Sequence, residues 1–312
     1  MSAVPSPNSE SVRRLTVTDI GRLYADGERI AMLTAYDYPT AKLLDEAGIP
    51  FLLVGDSLGR AMLGYENELS VSMEDMLHHS AAVTRGARRA FVVGDMPFLS
   101  YSTPEDAVRN AGRFIHDAGV QAVKVEGGVR SARVIETLVK AGIPVMGHIG
   151  LTPQSANAIG KFRVQGKSRE QARALLHDAL AVQEAGAFSI VLELVPEQLA
   201  AAITERLRIP TIGIGAGPGC SGQVQIITDL LGLETWQPKH AKPYVNLRET
   251  ILGAVRAYAT DVAAGTFPGA EQTVRMDDSV LEEVLGRSTL DASVGGQASD
   301  VPAGGIPLDR DL

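Results

Sequence analysis

Phe51-Leu52-Leu53-Val54-Gly55-Asp56-Ser57-Leu58-Gly59 decides the fold. Four consecutive apolar residues, ending on β-branched Val54, run into a glycine and then a carboxylate. An apolar run this short and this uniform marks a parallel strand buried on both faces. The same grammar returns in Phe91-Val92-Val93-Gly94-Asp95, in Ala122-Val123-Lys124-Val125-Glu126 and in Ser189-Ile190-Val191-Leu192-Glu193. Four strands that end on acids point to one shared site.

Outward from this stretch, strands and helices alternate. Strands are predicted at 30–35, 49–56, 90–95, 120–126, 143–148, 188–194, 211–215 and 224–228, and helices at 38–47, 73–88, from 103 to near 119, 131–141, 168–185, 196–207 and 246–264. A short leading helix over 16–25, with Thr16 as its N-cap, is placed to close the bottom of a barrel. The segment 149–167 reads as a long glycine-containing loop, and strands seven and eight are joined only by a short glycine-rich turn. Ala-Gly-Ile-Pro at 47–50 and again at 141–144 marks a helix end, a left-handed glycine cap and the next strand. Eight such steps over ~250 residues favour a closed (β/α)₈ TIM barrel, an α/β fold, over a doubly wound sheet. No G-x-G-x-x-G follows strand one, which weakens the doubly wound alternative. We therefore expect a leader over 1–14, a barrel over 15–264 and a largely irregular tail over 265–312 that carries one short helix at 280–285.

The composition narrows the function. With 29 Lys and Arg against 37 Asp and Glu and no basic run, the chain has no electrostatic footprint for nucleic acid. No apolar run approaches the ~20 residues that a membrane span requires. Cys220 is the only cysteine, so neither an internal disulfide nor a thiolate zinc cluster can form, which fits a cytoplasmic enzyme acting on a small molecule.

In a barrel of this class the chemistry sits at the C-terminal strand ends, where Asp56, Asp95, Glu126, His148 and Glu193 fall. Lys124 and Glu126 are two apart, so the pleat turns both toward the barrel axis. Carboxylates crowded into one mouth either hold protons or gather round a cation, and hard oxygen donors suit Mg²⁺. Asp56, Asp95 and Glu126 are the candidate ligands, for an ion that would chelate a 2-oxo acid and stabilise its enolate, and Glu193 is then free to act as general base. Each has a bland reading beside it. A lone strand-end acid usually caps a helix, Lys124 can be a structural partner for an acid, and His148 is as readily a backbone hydrogen-bonding group as a chemical one. Gly213 to Gly217 could cradle an anion but equally forms a turn, Cys220 reads as inert, and Tyr36 and Phe98 read as packing.

Six motifs, in order along residues 15–265, resemble the ketopantoate hydroxymethyltransferase family: 33–37, 54–59, 94–98, 123–128, 147–154 and 212–217. The resemblance implies a barrel of the phosphoenolpyruvate/pyruvate type. It also implies transfer of a hydroxymethyl group from 5,10-methylenetetrahydrofolate to 3-methyl-2-oxobutanoate, giving 2-dehydropantoate for pantothenate synthesis. By the same resemblance Asp56, Asp95 and Glu126 surround Mg²⁺, and Glu193 is the proton acceptor. Asp56, Ser57, Asp95, Lys124 and His148 are placed against the oxo acid, and the protein is expected to be a homo-oligomer, often a decamer in this family. The chain departs from the family pattern at Lys161-Phe162 and at Thr228-Asp229, where the family usually has His-Asp. The similar isocitrate lyase and phosphoenolpyruvate mutase group would require a reactive cysteine in a mobile loop, for which Cys220 is misplaced. A catalytically silent barrel is disfavoured by the complete set of acids.

Overall fold

A computed structural model of the chain describes residues 13–160 and 163–286. The chain divides into two compact units after Thr250. The first is a closed barrel of eight parallel strands in sequence order: β1 Ile30–Thr34, β2 Phe51–Val54, β3 Phe91–Asp95, β4 Ala122–Glu126, β5 Val145–Gly150, β6 Ser189–Glu193, β7 Thr211–Ile214 and β8 Gly222–Gln225, with β8 pairing back onto β1.

Two cores follow from the two-residue pleat. Leu52, Val54, Val92, Val123, Val125, Ile190 and Leu192 point outward and pack beneath the helices. Phe51, Leu53, Phe91, Val93, Ala122, Met146, Val191, Ile212 and Val224 point inward and fill the barrel. Toward its lower end Phe91 meets Phe51 and Phe188 edge to face and Phe51 lies tilted against Phe188, with ring centroids 5.4 to 6.2 Å apart. The leading helix α1, Val17–Ala25, seals this end with Ile20, as expected. Thr16 and Asp19 form a reciprocal capping box at its start.

The outer helices include α2 Tyr38–Glu46, α3 Leu58–Ala61, α4 Met73–Gly86, α5 Pro104–His116, α6 Ala132–Lys140, α7 Ala156–Ile159, α8 Arg169–Glu184 and α9 Glu197–Arg206. The segment expected as a plain loop after β5 instead holds a 3-10 turn, Pro153–Ser155, and then α7. These pieces are too short to leave a helical period in the sequence. The last barrel helix is also corrected. The five-residue α10, Ile227–Leu231, follows β8 directly and is ended by left-handed Gly232. The longer helix expected there is α11, Leu247–Ala264, which has no buried residue. In the second unit the rings of Tyr258 and Phe267 meet edge to face at 5.4 Å, and the short helix expected in the tail is α12, Asp278–Leu285. Lys161, Phe162, most of the leader and the end of the tail lie outside the described residues. No described helix is long and apolar enough to cross a membrane.

Candidate active site

The site is assembled by strand register. In parallel neighbours, paired residues point to the same side of the sheet. Asp95 is level with Lys124, Glu126 two residues further is level with His148, and Gly150 two further again is level with Glu193. The inward side chains climb the barrel wall in steps of two from β3 to β6. Asp56, two residues past β2, donates its backbone N–H to Asp95 Oδ2 at 3.0 Å. Gly150 permits the last step. Its φ of +94° and the closeness of the Glu193 carbonyl leave no room for a Cβ, and Leu151 N donates to that carbonyl at 2.8 Å.

Asp56, Asp95, Lys124, Glu126 and His148 are all at least 96% buried. Lys124 Nζ lies 2.9 Å from Asp95 Oδ1, 3.0 Å from His148 Nδ1 and 3.6 Å from Glu126 Oε1. Glu126 Oε1 is 3.3 Å from His148 Nδ1, and His148 Nε2 is 3.2 Å from Glu193 Oε2. These close approaches do not all make good hydrogen bonds: Asp95 Oδ1, Glu126 Oε1 and His148 Nε2 are buried with no well-aligned partner. His148 Nδ1 lies between Lys124 and Glu126 while Nε2 faces Glu193. Burial and Lys124 oppose a charge on the ring, but the two carboxylates outweigh them and raise the imidazole above its ordinary value.

Burial and the charge of Asp95 push the Asp56 carboxyl well above the usual carboxylate range. Burial likewise raises Asp95, with Lys124 opposing. Burial alone would raise Glu126 too, but Lys124 and His148 hold it below its ordinary value. The three acids around Lys124 outweigh burial and keep it an ammonium. Three carboxyl groups and one ammonium leave the cluster with two negative charges in excess whenever all the acids are ionised. That excess is met by protons or by a divalent cation. As the side chains stand, no three His, Cys, Asp or Glu groups among the described residues close into a ligand set.

All seven residues singled out from the sequence, Asp56, Ser57, Asp95, Lys124, Glu126, His148 and Glu193, line one cavity of about 740 Å³. Leu53, Val191, Ile214 and Val224 give it an apolar wall, while Arg60, Asp229 and Trp236 also border it. Tyr36 is buried as expected, but it also bonds Ser57, with hydroxyl oxygens 2.8 Å apart. Phe98 is not a packing residue; it is 40% exposed on the loop after β3. In the β7–β8 turn Gly215 and Gly217 have positive φ and sit against Leu194 and Glu197, the geometry of a turn former. Cys220 is buried and its thiol pKa is pushed up by burial, which does not favour a nucleophilic thiolate. Sequence reasoning missed Gln154 and Tyr101. Gln154 stands in the quoted 147–154 motif, four residues past β5, which was its only signal.

The ketopantoate hydroxymethyltransferase family model matches residues 14–270. The chain is 59% identical over 274 residues to the 3-methyl-2-oxobutanoate hydroxymethyltransferase of Chloroflexus aurantiacus, covering 88% of this chain and 97% of that one. It is 55% identical over 273 residues to the enzyme of the same name from Dehalococcoides mccartyi, covering 87% and 97%. Among solved structures, it resembles a phosphonopyruvate hydrolase complexed with oxalate and Mg²⁺ at a TM-score of 0.54 and 14% identity, over 87% of this chain and 95% of that one. A 2,3-dimethylmalate lyase of the phosphoenolpyruvate mutase/isocitrate lyase superfamily matches at 0.53 and 17%, over 87% and 95%. At such identities these two structures speak for the barrel alone. The length and identity of the sequence matches go further: the chain belongs to the ketopantoate hydroxymethyltransferase family and is a hydroxymethyltransferase.

Proposed function

We propose that this enzyme adds the one-carbon unit of 5,10-methylenetetrahydrofolate to 3-methyl-2-oxobutanoate, forming 2-dehydropantoate, with Mg²⁺ held at the acidic cluster. The observation that carries the reading is the excess negative charge of three buried carboxyl groups beside one ammonium, at the mouth that also presents Glu193. The chemistry of the donors fits the ion. Asp56, Asp95 and Glu126 supply hard oxygens, and Asp95 Oδ1 and Glu126 Oε1 have no well-aligned hydrogen-bond partner. When bound there, the cation would polarise the keto group and acidify the neighbouring C–H.

The chain's own residues do the rest. Lys124 and the Ser57 hydroxyl, held by Tyr36, bind the polar end of the oxo acid. Leu53, Val191, Ile214 and Val224 pack its branched alkyl group. Glu193, whose side chain is 17% exposed, takes the proton from C3, and His148 steadies it from 3.2 Å. The nucleophilic C3 then bonds to the one-carbon unit as its two carbon–nitrogen bonds break in turn. Water supplies the hydroxyl, and the proton taken from C3 and one from water go to the folate nitrogens as tetrahydrofolate leaves.

The test is proton NMR of C3–H exchange in 3-methyl-2-oxobutanoate in D₂O, with and without Mg²⁺ and tetrahydrofolate. Metal-dependent exchange is expected. Absence of exchange with the oxo acid bound and folate present would overturn the reading.

A further inference from the structure

A buried polar network lies beside the cavity. Gln154, on the turn after β5, is 5% exposed. Its Nε2 donates to Asp56 Oδ2 at 2.8 Å and to the Met96 carbonyl at 2.9 Å. Its backbone N–H donates to Glu126 Oε2 at 3.1 Å, and the Tyr101 hydroxyl donates to its Oε1 at 2.5 Å. The amide can face only one way. The Met96 carbonyl can only accept, so the nitrogen lies toward it and the oxygen toward Tyr101. Burial keeps the Tyr101 phenol protonated and therefore a donor. Tyr101 is itself held by its loop: Asn110 of α5 donates to the Ser100 carbonyl at 2.7 Å, and Ser102 Oγ donates to the Leu99 carbonyl at 3.0 Å.

One residue thus ties together the ends of β2, β3 and β4 from a turn after β5. It donates to one oxygen of Asp56 and to one of Glu126, and leaves Asp56 Oδ1 and Glu126 Oε1 without a bond from this residue. We propose that the Gln154 side chain, locked by Tyr101, is a positioning group that sets which oxygen Asp56 presents to the cation, while the Gln154 backbone N–H fixes Glu126 independently of the side chain. This rests on the reading that those carboxylates hold Mg²⁺. Partners of this kind, one bond removed from a metal, typically contribute ~10- to 100-fold in metal affinity.

The experiment is calorimetric titration of metal-stripped, full-length protein with Mg²⁺ alone, comparing wild type, Tyr101→Phe, Gln154→Leu and the double variant, each with its melting temperature. Gln154→Leu is expected to weaken Mg²⁺ binding ~10- to 100-fold. Tyr101→Phe, the milder change and the readable one if Gln154→Leu fails to fold, is expected to weaken it by less. Because Tyr101 acts through Gln154, adding Tyr101→Phe to Gln154→Leu is expected to change nothing further. Wild-type affinity in folded Gln154→Leu or in Tyr101→Phe, or additive losses in the double variant, would overturn the positioning role. Wild-type protein that takes up no Mg²⁺ would overturn the metal reading itself, and the proposal with it.

Discussion

Replacing Gly150 by alanine tests whether the mouth of the barrel is held by backbone contact. At φ +94° an L-residue is strained by ~1–2 kcal/mol. The new Cβ would fall inside the van der Waals shell of the Glu193 carbonyl oxygen and 2.8 Å from Val195 Cγ2. Backbone yields less readily than a side chain, so overpacking adds ~1–3 kcal/mol. A loss of ~2–5 kcal/mol in a unit of this size lowers Tm by ~5–15 °C. The same contact sets the spacing of β5 and β6, which carry His148 and Glu193. A displacement of ~1 Å between catalytic groups can cost ~100-fold in rate. Calorimetry and C3–H exchange of the oxo acid read the two effects separately. A variant that melts within ~2 °C of wild type and exchanges at the wild-type rate would refute the contact argument.

Glu193→Gln is expected to bind the oxo acid yet lose ~10²- to 10⁴-fold in C3–H exchange, as removal of a general base requires; wild-type exchange would take that role from it. Asp95→Ala is expected to weaken Mg²⁺ and oxo-acid binding together, and an affinity change in only one of them would separate the two sites. Hydrogen bonds from Arg13 and Thr16 hold Asp19 well below the usual carboxylate range. Its stabilisation of α1 is therefore full above the unfolded value of ~4 and is lost as the pH falls through the lower folded one. Melting curves of wild type and Asp19→Asn should accordingly differ at pH 7 and approach each other in acid, and a gap that widens in acid would reverse the assignment.

The parts legible in the sequence are those fixed by periodicity. Phe51 and Leu53 face inward and Leu52 and Val54 outward because the pleat has a period of two. The same rule placed Lys124 and Glu126 on one face. What stayed hidden depends on contacts between distant segments. Gln154 meets Asp56 across 98 positions of chain, from a three-residue turn too short to carry a pattern. Tyr101 lies on a loop whose path is set by Leu99 at φ +64°, a conformation the residue type does not announce. The helix at 247–264 has only a weak apolar stripe and no buried residue, so the sequence shows that a helix forms there and not which helix follows β8.

The two halves of the barrel interior explain one another. Phe51, Phe91 and Phe188 fill the lower end with packed rings, and the carboxyl groups above them are themselves buried, which makes each charge there costly. A lone acid in that setting would simply hold its proton. The register instead places Lys124 level with Asp95 and within 3.6 Å of Glu126. One fixed positive charge therefore lowers the cost of ionising the group without cancelling it. Had a second lysine neutralised the cluster, the site would be a buried ion-pair network with little call for a metal. In the proposed reading that imbalance gives a divalent cation its place, where the next step of the same staircase delivers Glu193 to the same cavity.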